Sequence, residues 1–175
     1  YNETEILELR LKVLYGFVDK FVIVEGDHTL KGDPKPFRCK KDLEDLGFGD
    51  DPKIELIEVN LKSYKGETSP DEENNYWDIL RKNQISLCGD DDVLILADID
   101  ELPNPHYIKD HVNFINNNPD FILCNRSWDL QYQVNYAISS YDNEPNICSQ
   151  PFIANGSFWK NNNPAQVRNL ASQGG

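Results

Sequence analysis

The sequence predicts an α/β domain. Three observations carry this expectation. Short apolar runs end in acidic residues, segments with apolar residues at helical spacing lie between them, and Gly, Pro and Asn mark the junctions. Phe21-Val22-Ile23-Val24 ends at Glu25, and Val93-Leu94-Ile95-Leu96-Ala97 ends at Asp98.

The elements follow in order. Asn2 is a candidate N-cap, and Leu7, Leu11, Leu14 and Val18 fall at i, i+4, i+7 and i+11, one face of a helix. Phe21 to Glu25 is the first strand. Gly32, Pro34 and Pro36 break the chain across 26–36, which reads as loop. Ile54, Leu56 (or Ile57) and Val59 alternate, a second strand. Residues 62–75 are polar and unpatterned, and are expected to be the most mobile stretch. Tyr76 to Cys88 reads as a helix with Trp77, Leu80 and Ile85 inward. After the strand at 93–97, Asn104-Pro105 opens a helix whose Ile108, Val112 and Ile115 share a face. Phe121 to Cys124 reads as a buried strand. From Trp128 to Ile138 apolar and mostly polar residues alternate, predicting a long half-exposed strand. Phe152-Ile153-Ala154 and Phe158-Trp159 are expected to pair with it antiparallel. Residues 161–175 carry little pattern.

Composition bounds the function. A chain of 175 residues with 39% hydrophobic and 11% aromatic content supports one folded core. A net charge of −13 argues against nucleic acid or an anionic membrane as partner, since both need a basic patch. No apolar run reaches membrane-spanning length and no signal peptide is visible, so no membrane contact is expected from this segment. The chain opens on Tyr1 rather than Met, which leaves room for an upstream segment. Cys39, Cys88, Cys124 and Cys148 make no C-x-x-C, so no zinc site is expected. Cys88 and Cys124 sit in apolar stretches and are expected in the core. Sequons at Asn2, Asn125 and Asn155 fix no compartment.

The chemistry concentrates at Asp98-Ile99-Asp100-Glu101, which ends the apolar run just before Pro103. Side chains alternate along a strand, so Asp98 and Asp100 are expected on one face, ~7 Å apart along the chain. Two carboxylates at the C-terminal end of a buried strand can hold a hard divalent cation, Mn²⁺ or Mg²⁺, and that ion can hold phosphates. An acidic protein that binds a phosphate donor needs such a metal, or a few placed Lys and Arg. The bland alternative is a solvated acidic loop. A haloacid-dehalogenase-type phosphatase would make Asp98 the nucleophile and Asp100 the acid–base, but its motif continues Gly-Thr where this chain has Glu101-Leu102. An EF-hand fails outright: counted from Asp98, the positions that need Gly and Glu hold Pro103 and Lys109.

Several blocks together resemble glycosyltransferase family 17, which includes the enzyme that adds bisecting GlcNAc to N-glycans. They are Asn2-Glu3, Ile6 to Leu11, Val18 to Glu25, Thr29, Gly32, Lys35-Pro36, Arg81-Lys82-Asn83-Gln84-Ile85, and Asp91-Asp92-Val93 through Pro103. The resemblance covers roughly residues 1–125. Family members continue into Gly-Gly-Trp-His, and this chain stops at Gly174-Gly175. It implies a single GT-A domain with a Rossmann-like, mostly parallel central sheet and a small antiparallel acceptor-side sheet. The domain is expected to be incomplete at both ends, lacking its first strand, with residues 1–125 binding the nucleotide sugar and 126–175 starting the acceptor side.

The implied reaction is metal-dependent inverting transfer of a sugar, GlcNAc from UDP-GlcNAc, to a glycan acceptor. A catalytically inactive glycan-binding domain of the same fold is the alternative. Asp100 is then the direct metal ligand and Asp98 a second contact to metal or ribose. Glu25 is expected to meet the uridine, Glu3 to lie near the base, and Arg81 to anchor the diphosphate or the carboxylates. Glu101 and Asp129 are the general-base candidates, with Asp142 beside them. Trp128, Tyr132 and Tyr136 could stack on acceptor sugars or simply pack a sheet. The compartment follows the host: Golgi lumen if eukaryotic, cytoplasm if bacterial or viral.

Overall fold

The computed structural model describes residues 3–61, 64, 70–128 and 147–167. The fold is mixed α/β. Its elements are α1 (Thr4–Leu14), β1 (Phe21–Gly26), α2 (Cys39–Asp45), β2 (Ile54–Val59), α3 (Pro70–Ser86), β3 (Val93–Leu96), α4 (Pro105–Asn117), β4 (Leu123–Trp128), β5 (Ile147–Asn155) and α5 (Gly156–Asn161). β1 and β2 pair in parallel from Phe21↔Ile54 to Gly26↔Val59. A second sheet has the order β3-β5-β4 and is antiparallel throughout.

The helical spacing read in α1 is the buried face: Leu7, Leu11 and Leu14 pack with Phe21, Cys39, Leu43 and Ile108. Each such leucine is worth roughly 1.5–3 kcal/mol over an exposed one. Val18 lies past the helix end yet packs on the same cluster. The N-cap of α1 is Glu3, with no side-chain capping bond; Asn2 lies outside the described residues. In α4, Asn104 caps as expected, accepting from the His106 amide, with Pro105 at the helix start.

α3 orders the centre of the molecule. Tyr76 Oη donates to the His28 carbonyl, Leu80 lies against Gly26, and Gln84 Nε2 donates to the Val22 carbonyl. The helix therefore runs opposite to β1. Its end leads straight into β3, and Arg81 reaches Asp98 at the far end of that strand. β1 and β3 are thus parallel to each other, with Glu25 and Asp98 at the same end.

Five expectations are corrected. Residues 70–75 open α3 instead of forming loop, because Pro70 suits the first turn of a helix, where its missing N–H costs nothing. α2 was not expected, because its N-terminus is satisfied by a carboxylate from another element. Phe121 is not in a buried strand: it is 57% exposed and meets Phe114 edge-on, ahead of β4. Cys124 is exposed while Cys39 is fully buried, so apolar neighbours misassigned the core cysteine. Phe158 and Trp159 belong to α5, because the Asn155 side chain accepts from the Phe158 amide and turns the chain into a helix. Beyond Trp128, the long alternating strand lies outside the described residues.

Candidate functional site

A cavity of about 1200 Å³ lies between β1 and β3, covered by α1, α3 and α4. Its polar end is where the two strands stop, and Glu3, Lys35, Arg38, Arg81, Asp98 and Asp100 line it there. Open α/β sheets place ligands at this end of their strands.

The acidic motif is a turn, not a strand face. β3 ends at Leu96, and the Glu101 amide donates to the Asp98 carbonyl at 3.1 Å. The Glu101 carboxylate folds back and accepts from the Asp98 amide at 2.8 Å. Strand alternation therefore does not place Asp98 and Asp100; the turn does. Arg10 closes it from α1, its Nη1 donating to the carbonyls of Asp98 (2.9 Å), Ile99 (3.3 Å) and Glu101 (2.9 Å). Burial lowers the Arg10 pKa, and the carboxylates of Glu101, Asp98 and Asp100 oppose that shift. A guanidinium stays protonated in such surroundings.

The two aspartates differ in their partners. Asp98 Oδ1 accepts from Arg81 Nη2 at 3.0 Å, the side chains being 27% and 9% exposed. Arg81 is itself held with its guanidinium 5.5 Å from the Trp77 ring centroid. Asp100 is exposed and makes no hydrogen bond among the described residues. The site thus offers one tethered carboxylate and one open one. Among the described residues no group of three or more His, Cys, Asp or Glu gathers, so no all-protein metal cage is present there.

Glu25 has a different duty from the one expected. Its side chain is 0% exposed. Its oxygens accept from the Arg38 amide at 3.0 and 3.2 Å, the Cys39 amide at 2.9 Å and Lys35 Nζ at 3.3 Å. A carboxylate from β1 thereby caps α2, complementing the positive end of the helix. So placed, Glu25 does not line the cavity itself, but it fixes the segment that brings Lys35 and Arg38 to it. Next to it, the Asp27 carboxyl is held below the usual carboxylate range, first by the Leu61 amide and then by His28. Tyr64 Oη and Tyr76 Oη bond the carbonyls of Leu30 and His28, pinning the loop after β1.

Glu3 is exposed where α1 begins and lines the same cavity. Asp129, Asp142, Tyr132 and Tyr136 lie outside the described residues. Sequence reasoning missed Arg10, Lys35 and Arg38. For Arg10 a signal existed: it stands three residues after Leu7 and four before Leu14, on the inward face of its helix. An arginine there must reach a partner. Among the described residues no helix is long and apolar enough to cross a membrane.

A family model, glycosyltransferase family 17, matches residues 1–138. No curated protein and no solved structure matches the chain.

Proposed function

The chain belongs to glycosyltransferase family 17, and from that premise we propose that it transfers N-acetylglucosamine from UDP-GlcNAc to a glycan acceptor, with inversion, on a GT-A fold. The observation that supports this most is the Asp98–Glu101 turn. Arg10 and Arg81 hold it at the cavity end where Lys35 and Arg38 also converge. In a chain of net charge −13, four cations gathered at one cavity support a reading in which they offset the charge of a diphosphate.

The donor set fits a divalent cation shared with its ligand. Asp100, with Asp98 beside it, supplies hard oxygens, and a six-coordinate Mn²⁺ or Mg²⁺ would complete its shell with diphosphate and water. Such an ion would neutralise charge gathering on the leaving β-phosphate. The chain's own residues do the rest. Arg81 orients Asp98, and Arg10 keeps the turn from opening. Lys35 and Arg38 offset the repulsion between diphosphate and acidic protein. Glu3 faces the cavity at the start of α1 and is assigned to the nucleoside side. Glu101 and Asp129 are kept as candidates to take the proton of the acceptor hydroxyl. Glu101 is braced on the Asp98 amide, so loss of its charge would also loosen the turn. Residues 126–175 are assigned to the acceptor side.

The test is calorimetry of UDP binding with Mn²⁺ and with EDTA. Binding at least tenfold tighter with Mn²⁺ is expected, and Asp100→Asn should abolish the difference. Equal affinity in both buffers would remove the metal from the proposal. In a donor screen with Mn²⁺, UDP-GlcNAc should be turned over fastest; dominance by GDP- or CMP-sugars would overturn the donor assignment. Binding without any turnover in a chain extended at both ends would favour a non-catalytic glycan-binding domain.

A further inference from the structure

The cationic end of the cavity has an apolar shelf beside it. Leu30 and Trp77 both line the cavity, and both pack against the buried cluster of Leu61, Tyr64 and Tyr76. The shelf is stiff. Tyr64 Oη and Tyr76 Oη donate to the carbonyls of Leu30 and His28, so the loop after β1 is fastened to its support at two points. Tyr76 meets Trp77 at right angles with ring centroids 5.2 Å apart, and the Arg81 guanidinium lies over the indole at 5.5 Å. The plane of Trp77 is therefore set from two directions.

Polar groups next to the shelf still have donors to spare. Arg81 carries five N–H groups and commits one to Asp98, although its side chain is only 9% exposed. Thr29 also lines the cavity; its Oγ1 accepts from the Asp33 amide at 3.1 Å, which leaves the hydroxyl proton free to donate. A ligand that suits this end must bring negative charge to Arg81, Lys35 and Arg38 and a flat, largely apolar ring to Trp77 and Leu30. Pyrophosphate alone has the first property only. A nucleotide has both.

We propose that Trp77, with Leu30 beside it, is the platform on which the nucleobase packs, and that this contact determines binding of the nucleotide together with the charge on its phosphates. The proposal rests on the donor reading above and gives Trp77 a part that reading left to Glu3. Trp77 and Arg81 stand at i and i+4, one turn of α3, so one helix face addresses both the ring and the phosphates. Arg81 joins the two, lying on the indole and holding Asp98. Packing on an indole tolerates any base, because every base has a π-face. The free Thr29 proton adds a preference for a base that presents a carbonyl oxygen.

The experiment is calorimetry of UDP and of inorganic pyrophosphate, both with Mn²⁺, on the complete protein and on its Trp77→Leu and Trp77→Phe variants. Trp77→Leu should weaken UDP about tenfold or more while pyrophosphate stays within about twofold, as expected for loss of one base–aromatic contact. Trp77→Phe should recover most of the UDP affinity. Tryptophan emission of the wild type should be quenched by UDP and not by pyrophosphate, and Trp77→Phe should lose that change. The emission readout decides the matter even where Trp77→Leu does not fold. Equal losses for UDP and pyrophosphate in Trp77→Leu overturn the proposal, because Trp77 would then act only by holding Arg81. Unchanged UDP affinity in Trp77→Leu overturns it as well. A wild type that binds pyrophosphate as tightly as UDP removes the platform and leaves the cationic site standing. One that binds neither removes the donor reading itself, and the platform with it.

Discussion

Arg10 shows how much one buried cation can organise. It donates to the carbonyls of Asp98, Ile99 and Glu101, groups that repel one another. Arg10→Met keeps the stem and removes the donors, so it should cost roughly 1–3 kcal/mol in urea unfolding. It should also weaken UDP binding with Mn²⁺. Arg10→Lys should recover little, because one ammonium cannot match the fork of a guanidinium. Unchanged stability in Arg10→Met would show that the turn holds itself. Asp27 adds a pH dependence. Its folded pKa is depressed, chiefly by the Leu61 amide and then by His28, so its stabilisation is present above the ordinary carboxylate value, roughly pH 4. That contribution is lost as pH falls through the folded value. Asp27→Asn should flatten the acid limb of a stability–pH curve below about pH 4 and leave a smaller change at neutral pH; an unaltered acid limb would refute the assignment. The thiols should separate in the same way. Burial pushes Cys39 up to about 12. Peptide mapping after iodoacetamide treatment at pH 8 should find Cys124 alkylated first and Cys39 untouched until unfolding.

At the scale of elements, α2 exists because β1 lends it a carboxylate. Glu25→Gln replaces an acceptor of two amides with a group that must also bury an NH₂, so α2 should fray. Amide exchange across 39–45 should accelerate while β2 stays protected; even protection throughout would separate the helix from its cap. Two glycines make close approaches of different kinds. A Cβ on Gly156 would lie 1.9 Å from the Gly89 carbonyl oxygen, whereas one on Gly26 would meet the Leu61 methyl at 2.7 Å. Backbone cannot step aside as a methyl can. Gly156→Ala should therefore cost more than the roughly 1–3 kcal/mol of ordinary overpacking, and Gly26→Ala should stay within it. The reverse order in denaturation would contradict the packing at the start of α5. That packing also bears on the Asn155 sequon, whose side chain is buried and capping α5. A glycan could not attach there without unmaking the helix start.

Across the described residues, the two sheets communicate through α1, α3 and α4, with no backbone hydrogen bond across the cavity among those residues. Residues 1–175 should consequently open in two steps, with different exchange free energies for the β1–β2 pair and for β3-β5-β4. A single global value for both would show that the helices alone make the halves cooperative. The charge is arranged on the same scale. A chain of net charge −13 gathers Arg10, Lys35, Arg38 and Arg81 around one cavity, beside Glu3, Asp98 and Asp100.

Residue pattern by itself determined the α/β class, the inward faces of α1 and α4, and the strands β1, β2 and β3. These are local properties, set by periodicity, caps and runs that span one element. What the tertiary structure alone decided involves pairs distant in sequence. Glu25 becomes the cap of α2 only because β1 ends beside Arg38 and Cys39. Asp98 and Asp100 are presented by a turn because Arg10 and Glu101 bend the chain where strand alternation would have kept it extended. No local window holds both partners of either arrangement.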